Sequence, residues 1–260
     1  MTAGRYVALG SSMAAGPGIP PRVPGSPWPA ARSARNYPHL VAAEVGFDLV
    51  DVTYSGATTA HLLTDAQWGT PPQIQAVTPD AALVTVTIGG NDIGYVPMLS
   101  AAAAPALLRR LPVLGSRMHD LLDPAAREHA LGALGASMRA VGAAVRDRAP
   151  RARVFFVDYL TLLPPPGQPA PPLSEAEADL GRRLATGLAE VTAEAAADTG
   201  CELVRAADAS RAHHAWSSRP WTVGAGFPLD FLFGRPAPFH PNADGMRAVA
   251  DLVIEAWRDG

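Results

Sequence analysis

The segment Tyr6-Val7-Ala8-Leu9-Gly10-Ser11-Ser12-Met13-Ala14-Ala15-Gly16 decides how the chain is read. Tyr6–Leu9 is a short apolar run of strand-forming length. It stops at a glycine and gives way to two adjacent hydroxyls. In an open parallel sheet, ligands bind beyond the carboxyl ends of the strands, which is where this turn falls. A helix starting there points free backbone N–H groups and a positive dipole end into the crevice. On the turn alone, two readings stand side by side. Ser11 and Ser12 cap the helix, or one of them is a nucleophile beside donors that hold an oxyanion.

The rest of the chain supplies the sheet. Leu49–Val52, Leu83–Ile88, Val154–Asp158 and Glu202–Arg205 are further short apolar runs. Helical patterns separate them: Tyr37–Val45, Pro124–Arg148, Ser174–Thr199 and Asn242–Trp257. Ser174-Glu175-Ala176-Glu177 has the form of a capping start, and Gly200 is a stop signal. Strands this short and apolar, alternating with helices, predict a parallel sheet covered on both faces. Two stretches break the rhythm. Leu163–Leu173 (LPPPGQPAPPL) has too many prolines for a regular element and reads as a surface loop. Ser217–Pro238, rich in Trp, Phe, Gly and Pro, reads as an ordered loop walling a pocket.

Composition narrows the function classes. A chain of 260 residues buries one substantial core, so residues 1–260 are expected to form a single domain. Hydrophobic residues make up 48% and charged residues 17%, which argues against disorder. The net charge of −3, with arginines scattered or merely paired, leaves no electrostatic footprint for nucleic acid. The lone Cys201 allows no internal disulfide and no metal-binding cysteine spacing. No apolar run is long enough for stable membrane insertion; Ala101–Leu108 is short and holds Pro105. The first residues lead directly into a strand, without a basic start and an apolar stretch. With no disulfide, this gives a cytoplasmic expectation.

Three further segments change the weight of the serine turn. Thr53-Tyr54-Ser55-Gly56-Ala57-Thr58-Thr59 follows the second strand, and Ile88-Gly89-Gly90-Asn91-Asp92 follows the third. Phe239-His240-Pro241-Asn242-Ala243-Asp244-Gly245 precedes the last helix. Singly, each is a turn or a helix entry. Jointly, they set small and polar groups on one predicted edge of the sheet. In this order the four segments resemble the SGNH/GDSL hydrolases. The likeness is closest to their actinobacterial lipase and esterase branch, where a GATT segment and a Trp-bearing loop also occur (here Gly56–Thr59, and Trp216 or Trp221). The resemblance runs from Gly10 to Gly245, and GGND and HPNxxG are its most specific parts. It implies an α/β, flavodoxin-like three-layer α/β/α sandwich around a mainly five-stranded parallel sheet. It also implies a serine hydrolase cleaving carboxylic esters, with no cofactor or metal. By position, Ser12 is the nucleophile and His240 the base. The Ser12 and Gly56 N–H groups and the Asn91 amide form the oxyanion hole.

Three departures bear on this reading. Ser11 stands where the family usually has Asp, and Ala237 stands where it often has Asp three residues before the histidine. The disulfides of secreted relatives are absent. A backbone carbonyl can hold the imidazole tautomer in place of a carboxylate, so the resemblance implies a Ser–His dyad completed by the Ala237 carbonyl. Asp230 is the side-chain candidate for that role. The substrate expected is a small-molecule ester with an apolar acyl or aromatic part. Transfer of the acyl group to another acceptor uses the same residues, and a non-catalytic ligand binder is the reading from a different class. The α/β-hydrolase elbow and the dinucleotide fingerprint are missing. Of the other histidines, His61 could line the cleft, and the His213-His214 pair lacks a spaced third metal ligand.

Overall fold

Five parallel strands form one sheet in the order β2-β1-β3-β4-β5. They are β1 Arg5–Gly10, β2 Asp48–Asp51, β3 Ala81–Thr87, β4 Arg153–Val157 and β5 Glu202–Val204. The computed structural model describes residues 4–109, 111–226 and 233–260. The helices are α1 Ser12–Ala15, α2 Tyr37–Val45, α3 Thr59–Leu63, α4 Tyr95–Ala103, α5 Ala106–Arg109, α6 Pro112–Leu122, α7 Pro124–Arg148, α8 Glu175–Asp198, α9 Ala206–Ala209 and α10 Ala243–Arg258. The expected strands all form, each within two residues of its predicted bounds.

Alternation along the strands builds two cores. Val7, Leu9, Val84, Val86, Val154 and Phe156 point to one face and pack with Met138 and Val141 of α7 and Leu184 and Leu188 of α8. Tyr6, Ala8, Leu83, Phe155 and Val157 point to the other and meet Val41 of α2 and Val249, Val253 and Ile254 of α10. Both faces are therefore dry, as a parallel sheet requires. This is the three-layer α/β/α arrangement. The predicted capping box at the start of α8 is present: the Ser174 N–H donates to Glu177 Oε2 at 2.8 Å, and the Glu177 N–H to Ser174 Oγ at 3.4 Å.

The strand order fixes where a site can form. The chain adds β2 on one side of β1, then returns to place β3 on the other, so the turns after β1 and β3 sit side by side. At the end of β1 the approach is tight. The Ser11 N–H donates to Thr87 O at 2.9 Å. Gly10 adopts φ 151°, and a Cβ there would lie 2.5 Å from Thr87 O, so only glycine fits. The buried Gln73 side chain clamps the same glycine, accepting from its N–H at 2.8 Å and donating to its carbonyl at 3.0 Å.

Candidate active site

The serine turn and the last helix entry meet. Ser12, the first residue of α1, places Oγ 2.7 Å from His240 Nε2. Both residues are 8% exposed. His240 sits just before α10, on a segment held by the neighbouring loop: the Val223 N–H donates to His240 O at 2.9 Å, and the Asn242 N–H to Trp221 O at 2.9 Å. The Asn242 side chain caps α10, accepting from the Gly245 N–H at 2.9 Å.

The imidazole's second nitrogen defines the tautomer. His240 Nδ1 lies 2.7 Å from Pro238 O. A carbonyl oxygen only accepts, so Nδ1 carries the proton and Nε2 of the neutral ring accepts from the Ser12 hydroxyl. The carbonyl differs from the expected one: it belongs to Pro238, not Ala237. Phe239 takes φ 57°, a left-handed conformation, and this folds the ring back onto the carbonyl two residues before it instead of three. Asp230 lies outside the described residues. Burial pushes the His240 pKa down to about 4, against a smaller upward pull from the Pro238 bond. The ring is thus held neutral and able to take a proton.

The donors expected around Ser12 converge. Gly56 lies in the turn after β2, closed by the Ala57 N–H donating to Tyr54 O at 3.0 Å. Asn91 lies in the turn after β3 and donates one amide hydrogen to Ala57 O at 2.8 Å, which locks these two turns together. An amide carries two donors, so one hydrogen of Asn91 remains for a ligand. Among the described residues, the Ser12 and Gly56 backbone N–H groups meet no acceptor. Ser12, Gly56, Asn91 and His240 all line one cleft of about 1140 Å³.

Neither serine caps α1. The Ser11 hydroxyl instead bonds the Tyr159 hydroxyl at 2.9 Å, and Tyr159 OH accepts from the Gly90 N–H at 3.2 Å. This buried chain joins the serine turn to the Asn91 turn. It needs Gly90, because a Cβ there would run into the Tyr159 ring. Asp92 plays a matching part, with carboxylate oxygens 3.0 and 3.2 Å from the Thr59 N–H and 2.6 Å from its hydroxyl. Sequence reasoning found neither Tyr159 nor Gln73; each pairs with a residue more than 60 positions away.

The pocket wall also differs in part. The loop at 217–238 contributes Ala225, Gly226, Ala237 and Pro238, but neither its Trp221 nor the preceding Trp216 lines the cleft. Trp221 stacks on His213 with ring centroids 4.0 Å apart, and Trp216 Nε1 donates to Pro171 O at 3.2 Å. The larger apolar wall comes from α4 to α6, with Val96, Pro97, Ala101, Leu108, Met118 and Leu121. His61 is not part of the cleft. Its Nδ1 accepts from the Thr58 N–H at 3.1 Å in a capping box at the start of α3.

Comparison with known proteins agrees with this geometry. Residues 8–248 match the model of the GDSL-like Lipase/Acylhydrolase family. The chain is 33% identical to Lipase 2 of Streptomyces coelicolor, covering 96% of this chain and 84% of that one. It resembles the crystal structure of phospholipase A1 from Streptomyces albidoflavus with a TM-score of 0.79 and 25% identity, over 98% of this chain and 99% of the other. It also resembles that of an extracellular lipase from Streptomyces rimosus, with a TM-score of 0.78 and 27% identity over the same shares.

Two outcomes follow from the buried polar groups. The folded His240 value near 4 lies below the ordinary 6.5, so the unfolded chain binds more protons between those values. Its contribution to stability is complete above 6.5 and is lost as pH falls toward 4. NMR titration of the ring is expected to show a neutral imidazole at pH 6; a midpoint near the ordinary value contradicts the burial argument. Replacing Tyr159 with Phe strands the Ser11 hydroxyl and the Gly90 N–H, and should cost about 1–3 kcal/mol in denaturant unfolding. Wild-type stability would mean that the chain does not couple the two turns.

Proposed function

The chain belongs to the GDSL-like lipase/acylhydrolase family and is a carboxylic ester hydrolase, and from that premise we propose that Ser12 and His240 carry the reaction as a dyad. The observation behind this is the 2.7 Å bond from Ser12 Oγ to a ring nitrogen that is free to accept. Ser12 Oγ attacks the ester carbonyl carbon and its proton passes to His240 Nε2. The carbonyl oxygen takes the negative charge and meets the Ser12 N–H, the Gly56 N–H and the remaining Asn91 amide hydrogen. The C–O bond to the alcohol then breaks, and the alcohol leaves with the proton from His240. Water attacks the acyl-serine, gives its proton to the same nitrogen, and the acid departs as the Ser12 hydroxyl is restored.

The imidazolium formed in each half-reaction has the Pro238 carbonyl beneath it rather than a carboxylate. That carbonyl orients the ring and offers a partial negative charge, the two tasks of the third triad member, the second in weaker form. The apolar wall from Val96 to Leu121 favours an ester with an apolar acyl part. Each buried methylene contributes about 0.8 kcal/mol, so kcat/KM should climb with acyl length until the wall is filled.

Assays on p-nitrophenyl esters of graded length test the assignment. Ser12→Ala and His240→Ala should be nearly inactive with native circular dichroism. Asn91→Ala should lose about 10²–10³-fold in turnover. Equal activity of Ser12→Ala and wild type on any ester would end the assignment.

A further inference from the structure

The serine turn hangs from Gly10, which at φ 151° has no side chain to hold its conformation. The register of β2 with β1 ends at Ala8↔Asp51, short of this residue. The Tyr54 N–H still donates to Gly10 O at 2.9 Å, but the Gly10 N–H points where β2 no longer supplies a carbonyl. The Gln73 side chain fills that gap. Its Oε1 accepts from the Gly10 N–H at 2.8 Å, and its Nε2 donates to Gly10 O at 3.0 Å. An N–H needs an acceptor and a carbonyl a donor, so the amide has one orientation here. One buried side chain thus copies two bonds of a missing strand. Gln73 opens a short 3-10 turn, Gln73–Ala76, anchored in the core by the buried Ile74 and Val77.

The place of this clamp in the chain gives it a consequence for chemistry. Gly10 C=O and Ser11 N–H belong to one planar peptide group. Gln73 and Tyr54 hold its carbonyl end, and Thr87 O holds its N–H end at 2.9 Å. The next peptide group carries the Ser12 N–H, and the Ser12 hydroxyl follows it. A tilt of the first plane therefore swings Oγ away from His240 Nε2 and turns the Ser12 N–H out of the cleft together. Tyr54 and Thr87 also stand just before the turns that carry Gly56 and Asn91, so all three turns share this one joint. Gln73 does not line the cleft, so its amide acts on the reaction through Gly10 and leaves the binding surface alone.

We propose that Gln73 is a positioning residue for the hydrolysis, fixing through Gly10 the direction in which Ser12 attacks and the aim of its N–H. This rests on the ester-hydrolase reading. Gln73→Met keeps the length of the side chain and removes both polar groups. With p-nitrophenyl butyrate, its kcat per working site, counted by fluorophosphonate titration of Ser12, should fall about 10–100-fold, the cost of a misplacement of about 1 Å. KM should stay within about twofold, as for a group that acts on the transition state and not on binding. A kcat per site equal to wild type, or a loss carried by KM alone, overturns the role. Gln73→Glu covers a Gln73→Met that does not fold, because it keeps the acceptor for the Gly10 N–H. Its neutral carboxyl also donates to Gly10 O, whereas its carboxylate cannot. The kcat of Gln73→Glu relative to wild type should therefore fall as pH rises from about 5 to 9, the range in which a buried glutamate ionises; a flat ratio overturns the role. A wild type that hydrolyses no ester overturns the ester reading instead. The rate of fluorophosphonate labelling at Ser12 then decides Gln73 without turnover: slower labelling in Gln73→Met supports the role, and an equal rate overturns it.

Discussion

One hydrogen bond joins residues 228 positions apart: Ser12 Oγ to His240 Nε2, at 2.7 Å. Every other feature of the site is arranged so that this bond survives burial. A hydroxyl and an imidazole taken out of water cost free energy unless each finds a partner. Here each finds the other, and the ring's second nitrogen finds the Pro238 carbonyl. The sheet supplies the rest of the constraint. β1 delivers the serine turn to the crevice between β1 and β3, and the loop at 220–224 pins the histidine segment before α10 can begin.

A dyad without a carboxylate divides the work differently from a triad. The backbone settles the tautomer, which is a geometric task. In the dyad proposed for Ser12 and His240, stabilising charge in the transition state falls more heavily on the proposed oxyanion donors. The proposed donors sit on three turns fastened to one another: Asn91 to Ala57, Tyr54 to Gly10, and Ser11 through Tyr159 to Gly90. Such cross-bracing is the preorganisation that electrostatic catalysis needs, because the donors then do not have to reorient as charge develops.

The sheet was legible in the sequence because its strands are buried on both faces, and each therefore reads as an unbroken apolar run. The four long helices were legible for the opposite reason, a periodic stripe with clear end signals such as Ser174 and Gly200. The wall from α4 to α6 was not. Pro97, Pro105 and Pro112 interrupt it, and its alanines give little contrast between faces. Ser12, Gly56, Asn91 and His240 line one cleft, in keeping with the sheet edge on which their turns were expected. The supporting carbonyl was off by one residue because a left-handed Phe239 leaves no mark in composition. Tyr159 and Gln73 were hidden because their partners are set by topology, not by neighbours in the chain.

The most direct test of the central bond is covalent. A fluorophosphonate reacts with a serine hydroxyl only where a base takes its proton and donors receive the oxyanion. Peptide mapping after exposure at neutral pH should place the adduct on Ser12, with labelling lost in His240→Ala. An adduct on Ser11, or labelling of Ser12 at the same rate without the imidazole, would contradict the account.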